Sequence, residues 1–315
     1  MEHRPSPAAI LLVPLVVAVV LALFAWPSAN LEPHDLPVGV AGPAAQATAI
    51  EQRLGQQESA FEIHRYGDEA AARAAIEDRE VYGAFVAGPQ GAKVLTASAA
   101  SAAVAQQLTH AAAEGPAGPL PVEDVVSAGP RGAALPSAVL PLLIAGILTG
   151  VAASMLATGA ARRTGLLVAG SILAGLVATL IVQSWLDVVG GDWIVNAAAF
   201  SLTIGAIGAA VAGLNALLGR KGIALAALTM VLVGNPFSGV ASAPELLPPP
   251  AGAIGQLLPP GAGGNLLRST GFFDGAAAGG HVAVLAVWLL AGLALLVAAS
   301  LRGRGRAPAA APALG

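Results

Sequence analysis

The stretch Gly234-Asn235-Pro236-Phe237-Ser238-Gly239 closes one long apolar run, and His281 opens the next. Between them lie Pro244-Glu245-Leu246-Leu247-Pro248-Pro249-Pro250, Ile254-Gly255-Gln256-Leu257-Leu258-Pro259-Pro260 and Gly271-Phe272-Phe273-Asp274. This segment is too apolar for an ordinary solvated loop. Its prolines remove too many backbone donors for a helix that crosses a bilayer. Its surroundings decide what it faces.

The chain is 56% hydrophobic and only 10% charged, against about 25% charged residues in soluble domains. Apolar runs of membrane-crossing length fall near residues 8–26, 135–158, 165–189, 193–218, 223–240 and 281–301. The expected fold class is a polytopic α-helical membrane protein with six transmembrane helices, and the lipid bilayer is its first partner. The first run is long for the apolar part of a signal peptide and ends in Trp26, so it reads as an anchor. A cleaved leader is the alternative, since Pro27-Ser28-Ala29 offers a small-residue exit. The net charge is only −3, so nothing global suggests nucleic-acid binding. The absence of cysteine excludes disulfides, thiolate metal sites and thiol catalysis.

Residues 27–134 carry most of the chain's acids and alternate strand with helix. Strands are expected at Leu36–Ala41, Phe61–Tyr66, Val81–Ala87 and Ala92–Ala97, with a hairpin turn at Gly88-Pro89-Gln90-Gly91. Helices are expected at Ala44–Gly55, Glu69–Arg79 and Ser98–Glu114, with Asp68 capping the second. A Pro/Gly linker and a last strand, Val122–Ser127, follow. This is an α/β domain inserted between the first and second spans. The acids Asp68, Glu69, Glu77, Asp78 and Glu80 read as exposed helix faces. His64 and His110 lack metal-ligand spacing and read as solvated or structural.

Orientation follows from positive charge. With both termini inside, the inner segments hold Arg4, the basic anchors Arg162, Arg163, Arg220 and Lys221, and the tail residues Arg302, Arg304 and Arg306. Trp26, Trp185 and Trp193 then fall at outer span ends, where aromatic belts lie. The α/β domain and the loop 241–280 are expected outside, in a cell membrane. Residues 302–315 read as a basic, disordered cytoplasmic tail.

Polar residues in the spans are few. Gln183 and Asp187 share one face of the third span, and an intramembrane carboxylate suggests function. Asp187 also lies near the outer end, where a solvated acid is ordinary. Asn196 and Asn215 read as interhelix hydrogen-bonding groups. Gly146, Gly150, Ser154 and Thr158 form a four-residue ladder, as do Gly205, Ala209 and Gly213. Such ladders suit helix packing or a homodimer face. The chain has no phosphate loop, no His-Glu-x-x-His and no Gly-x-Ser-x-Gly. It therefore reads as non-enzymatic, without cofactor or metal.

One span, an outer α/β domain and five further spans resemble the membrane subunits of type-2 ABC exporters, closest to the phage-infection-protein-like membrane proteins. Leu36-Pro37-Val38-Gly39-Val40 and Asp78-Arg79-Glu80-Val81-Tyr82-Gly83-Ala84 are similar to that group's outer-domain pattern. Gly234-Asn235-Pro236-Phe237-Ser238-Gly239 and Leu258-Pro259-Pro260-Gly261 resemble its last outer loop. The resemblance implies a permease-like subunit that works with a separate ATPase. It also implies that the loop dips into the membrane near the exit of the translocation path. Candidate gate residues are Gly234, Asn235, Pro236, Gly239, Pro259 and Pro260. An Ala/Gly-rich membrane domain suits a lipophilic cargo.

The connection between the second and third spans, about Gly159 to Thr164, is short. This motivates a second reading, a non-transporting envelope protein whose outer domain binds a protein or cell-wall partner. In either reading Pro236 frees a carbonyl one turn earlier. The fifth span is expected to fray near Asn235, whose side chain would satisfy the freed backbone. Ile254, Leu257 and Leu258 are expected to pack on other spans or enter the interface.

Overall fold

Leu36, Val38 and Val40 alternate with smaller residues, and the strand they form, β1 (Leu36–Ala41), is almost wholly buried. It follows a long helix, α1 (Pro7–Ala29). The computed structural model describes residues 7–56, 59–88, 91–114 and 118–304. Arg4, the turn residues Pro89 and Gln90, linker residues 115–117 and the tail beyond Arg304 lie outside the described residues.

From β1 the chain continues through α2 (Ala44–Leu54), β2 (Phe61–Tyr66), α3 (Glu69–Glu77), β3 (Gly83–Gly88), β4 (Gly91–Thr96), α4 (Ala102–Ala113) and β5 (Val122–Asp124). The sheet order is β2-β1-β3-β4-β5. The β1–β2, β1–β3 and β4–β5 pairs are parallel, and β3–β4 is an antiparallel hairpin. Helix α3 covers one face, through Ala72, Ala75 and Ile76. Helix α4 covers the other, through Val104 and Leu108.

Asp68 caps α3 by accepting from the Ala71 N–H at 2.9 Å. The helix ends at Glu77, two residues before the expected Arg79. Arg79 adopts the left-handed conformation at φ 60°. Its N–H bonds to the Ile76 carbonyl, and the Glu80 N–H to that of Ala75. This is the helix-ending pattern that ordinarily places glycine where Arg79 stands.

A single turn, α5 (Gly129–Gly132), leads into the bundle. The bundle comprises α6 (Leu135–Leu156), α7 (Ala160–Thr179), α8 (Trp193–Leu218), α9 (Arg220–Leu228), α10 (Ala251–Gln256), α11 (Pro259–Phe272) and α12 (Ala278–Arg304). Among the described residues, five helices are long and apolar enough to cross a membrane: α1, α6, α7 with its π-helical extension Leu180–Trp185, α8 and α12. That pattern is compatible with a multi-pass membrane protein. Helix α7 starts five residues earlier than expected, so only Ala157–Gly159 join it to α6. Helix α12 starts at Ala278 rather than His281.

The expected fifth span, 223–240, takes a different form. Helix α9 has nine residues and runs into a six-residue π turn, Thr229–Gly234. At about 1.5 Å per residue this reaches roughly 22 Å, short of a hydrocarbon core of about 30 Å. The chain stops there for a local reason. The Asn235 N–H reaches back five residues to the Met230 carbonyl, and Pro236 has no N–H to continue the helix.

Helix α8 is the buried axis, packed by α6, α7, α11 and α12. The glycine ladders meet partners within the chain: Gly146 and Gly150 face Ile207 and Gly208 of α8, and Gly213 faces Gly292 of α12. Trp26, Trp185 and Trp193 lie at the bundle end nearer the sheet. Arg162, Arg163, Arg220, Lys221 and Arg302 lie at the other end.

Candidate functional site

The segment 235–277 holds far more helix than its prolines suggest. A 3-10 turn (Pro244–Leu246), α10 and α11 follow one another. Every residue of α11 from Pro259 to Gly271 is buried. Pro259 and Pro260 start this helix rather than break a chain. At the first helical positions their missing N–H groups have no intrahelical partner to lose. Gly255 lets α10 lie against the backbone of Phe237, since a Cβ there would overlap the Phe237 carbonyl. Gly234 supports Pro260 in the same way, at 2.8 Å from an added Cβ to the ring.

The expected gate residues divide between two places. Asn235, Pro236 and Gly239 line a cavity of about 410 Å³, together with Phe24 of α1, Leu31 just after it and Leu140 of α6. Gly239 turns there at φ 65°. Gly234, Pro259 and Pro260 are buried where the π turn meets α11. The Asn235 side chain has no hydrogen bond among the described residues. Ser238 donates its Oγ–H to the Asn235 carbonyl at 2.8 Å, a different group from the carbonyl one turn before Pro236. Ile254 and Leu257 stand 39% and 65% exposed, turned away from the protein, while Leu258 is half-buried.

The expected intramembrane polar residues also separate. Asn196 is fully buried and donates to the Gln183 Oε1 at 3.0 Å and to the Gly190 carbonyl at 2.6 Å. Gln183 donates to the Gly191 carbonyl at 2.9 Å. Together they staple the end of α7 to the start of α8. Asp187 is 74% exposed, with its carboxylate 3.3 Å from the Arg131 guanidinium. Asn215 is half-buried, and its carbonyl accepts the Gly219 N–H that ends α8.

The densest polar cluster lies where the sheet meets α11. From its left-handed backbone Arg79 donates to the Asn265 carbonyl at 3.1 Å, the Asn265 Oδ1 at 3.3 Å and the Ser269 hydroxyl. Its guanidinium stacks 5.3 Å from the centre of the Phe273 ring. Arg268, 5% exposed, donates to the same Asn265 Oδ1 at 3.2 Å and to the Val240 carbonyl at 2.8 Å. Asn265 in turn donates to the Gln256 Oε1, and Gln256 to the Ser238 carbonyl, both at 2.8 Å.

No family model, curated protein or solved structure matches this chain.

Tyr82 donates to the Glu245 carboxylate at 2.8 Å. Burial, then the Glu245 charge, pushes the Tyr82 phenol well above its ordinary range. Burial lowers the Arg79 guanidinium, opposed by Tyr82 and Glu245, yet leaves it charged. Around this centre the loop is bonded to the sheet domain along its length. The Glu32 N–H reaches the Leu246 carbonyl at 3.1 Å, the His34 N–H that of Glu245 at 2.9 Å, and the Ser101 hydroxyl that of Ser242. Phe273 completes the α3-side core of the sheet, and Ala243 and Leu246 complete the α4-side core.

The sequence alone does not bring Arg79, Tyr82, Glu245, Gln256, Asn265 and Arg268 together as a group. The available signal was the run Gly263-Gly264-Asn265-Leu266-Leu267-Arg268-Ser269-Thr270. It places polar side chains three and four apart in a segment otherwise apolar enough to be buried.

Proposed function

We propose that this chain is a permease-like membrane subunit of an ABC-type exporter that works with a separate ATPase. The carrying observation is the cavity lined by Asn235, Pro236 and Gly239, set beside a buried, irregular segment enclosed by α6, α8 and α12. Non-helical backbone at membrane depth survives only where protein encloses it or water reaches it. In this reading Arg162, Arg163, Arg220 and Lys221 face the cytoplasm, and the sheet domain stands outside. A lipophilic or amphipathic cargo would leave past α1 and α6 through the mostly apolar cavity.

A second reading is favoured by the tight turns. Three residues join α6 to α7, and Gly219 alone joins α8 to α9. Such turns offer little surface for an ATPase to grip. Here the chain is a non-transporting cell-envelope protein whose outer α/β domain binds a protein or cell-wall partner.

Purification of the full chain from its native membranes, with mass spectrometry and an ATP-hydrolysis assay, separates the two. The exporter reading expects a phosphate-loop ATPase at near-stoichiometric yield. It also expects that ATPase to be lost when Arg162, Arg163, Arg220 and Lys221 are changed to Glu. Absence of any such ATPase from the purified chain, with export unchanged in a deletion strain, would overturn it in favour of the second.

A further inference from the structure

A second cavity, of about 190 Å³, opens between the sheet domain and the loop. Arg79, Tyr82, Glu245, Gln256, Asn265 and His281 line it. Arg268 lies directly behind Asn265, sharing its Oδ1 with Arg79.

Two guanidinium groups thus meet at one neutral amide oxygen, although like charges in a water-poor site repel. Among the described residues neither Arg79 nor Arg268 has a carboxylate within ion-pair distance, whereas Arg65, Arg73, Lys93 and Arg131 each do. A guanidinium carries five N–H donors. Arg79 uses three of them in the bonds described above, and the Arg268 Nε is buried with no acceptor. Arg268 does not line the cavity, so it acts on an anion there through its charge rather than through a contact. The carboxylates at hand offset at most one of the two charges, and from beyond ion-pair distance. Glu245 is engaged by Tyr82, and Glu80, at the cavity rim, is exposed and turned towards Tyr66.

We propose that this cavity is a binding site for a small oxyanion of the phosphate type, held by Arg79 with Gln256 and His281, and backed by Arg268. The buried Arg268 and half-buried Arg79 guanidiniums against the Glu245 carboxylate leave one net positive charge for a singly charged group to offset. The planar guanidinium fork matches the oxygens of a phosphate or phosphodiester. The oxyanion would also tie the sheet domain to α10 and α11, because its contacts come from both. The site stands whether or not the chain transports anything.

The test uses the full chain in detergent and in nanodiscs. Inorganic phosphate is titrated by calorimetry and thermal shift against sodium chloride at equal ionic strength. Nanodiscs of digalactosyldiacylglycerol, a lipid without phosphate, are compared with nanodiscs containing phosphatidylglycerol. Saturable binding of inorganic phosphate is expected for a free anion; stabilisation by phosphatidylglycerol alone assigns the site to a lipid headgroup. In either case Arg79→Gln should weaken binding roughly tenfold or more, as loss of a charge-assisted contact does. Glu245→Gln should tighten it, because a competing carboxylate is removed. That gain cannot arise from misfolding, so the test stands even if Arg79→Gln folds poorly. Stabilisation by neither probe, or binding that Glu245→Gln leaves unchanged or weakens, would overturn the proposal.

Discussion

At the scale of single residues, Arg79 joins the two halves of the molecule. A non-glycine residue in the left-handed conformation costs about 1–2 kcal/mol. It persists where surrounding contacts over-determine it. Here those contacts are Asn265, Ser269 and the Phe273 ring. Arg79→Ala should therefore lower the melting temperature of the purified protein, by an amount equivalent to about 2 kcal/mol or more. Arg79→Gly should lose the same side-chain contacts yet recover about 1 kcal/mol of backbone strain. Equal melting temperatures for the two variants would show that the strain is absent. A different prediction concerns pH. Glu69 and Glu123 bridge Lys93 and Arg73 on the exposed side of the sheet. Hydrogen bonds, from Lys93 chiefly for Glu69 and from Arg73 chiefly for Glu123, hold both carboxyls below the usual carboxylate range. A lowered folded-state pKa stabilises above the unfolded value, and that stabilisation is lost as pH falls through the folded value. Acidification below about pH 4 should thus loosen β5 from β4, an effect kept small by exposure. Amide exchange of Val94–Thr96 across that range should show it, and Glu123→Gln should flatten the dependence.

At the scale of elements, α10 and α11 behave as packed core. Gly255→Ala places a methyl group on the Phe237 carbonyl. It should destabilise the fold by about 1–3 kcal/mol, the usual range for overpacking, measurable as a drop in melting temperature. The strands and capped helices of the sheet domain were legible because alternation and Asp68 are local signals. The apolar helices were legible from length alone. Helix α11 was not, because Pro259-Pro260 carries two meanings: a break within a chain, or the first turn of a helix. Which applies depends on burial against α8 and α12, and that is decided by residues outside the helix itself. The same limit hid the end of α3. Glycine is the residue that ordinarily marks a left-handed cap, and Arg79 gives no such mark. The fifth apolar run looked long enough to cross because Gly234 to Val240 are apolar or small. Its break at Asn235 was legible from Pro236, whereas its closing bond from Ser238 was not.

At the scale of the whole molecule, the sheet domain and the loop share their cores. Phe273, Ala243 and Leu246 fill the two faces of a sheet made from residues 36–124. An isolated fragment of residues 30–131 should therefore melt at a lower temperature than the sheet within the full chain. It should also bind an apolar dye through the surface those three side chains cover. A fragment as stable as the full chain would detach the loop from the fold of the domain. The central claim is that sheet and loop form one unit joined at Arg79 and Asn265. Native-state hydrogen exchange on the full chain, with and without Arg79→Gln, tests it most directly. The expected result is that the amides of Gly263–Phe272 are as protected as those of β1, and that the substitution lowers both together. Rapid exchange throughout α11 beside a fully protected sheet, unchanged by the substitution, would contradict it.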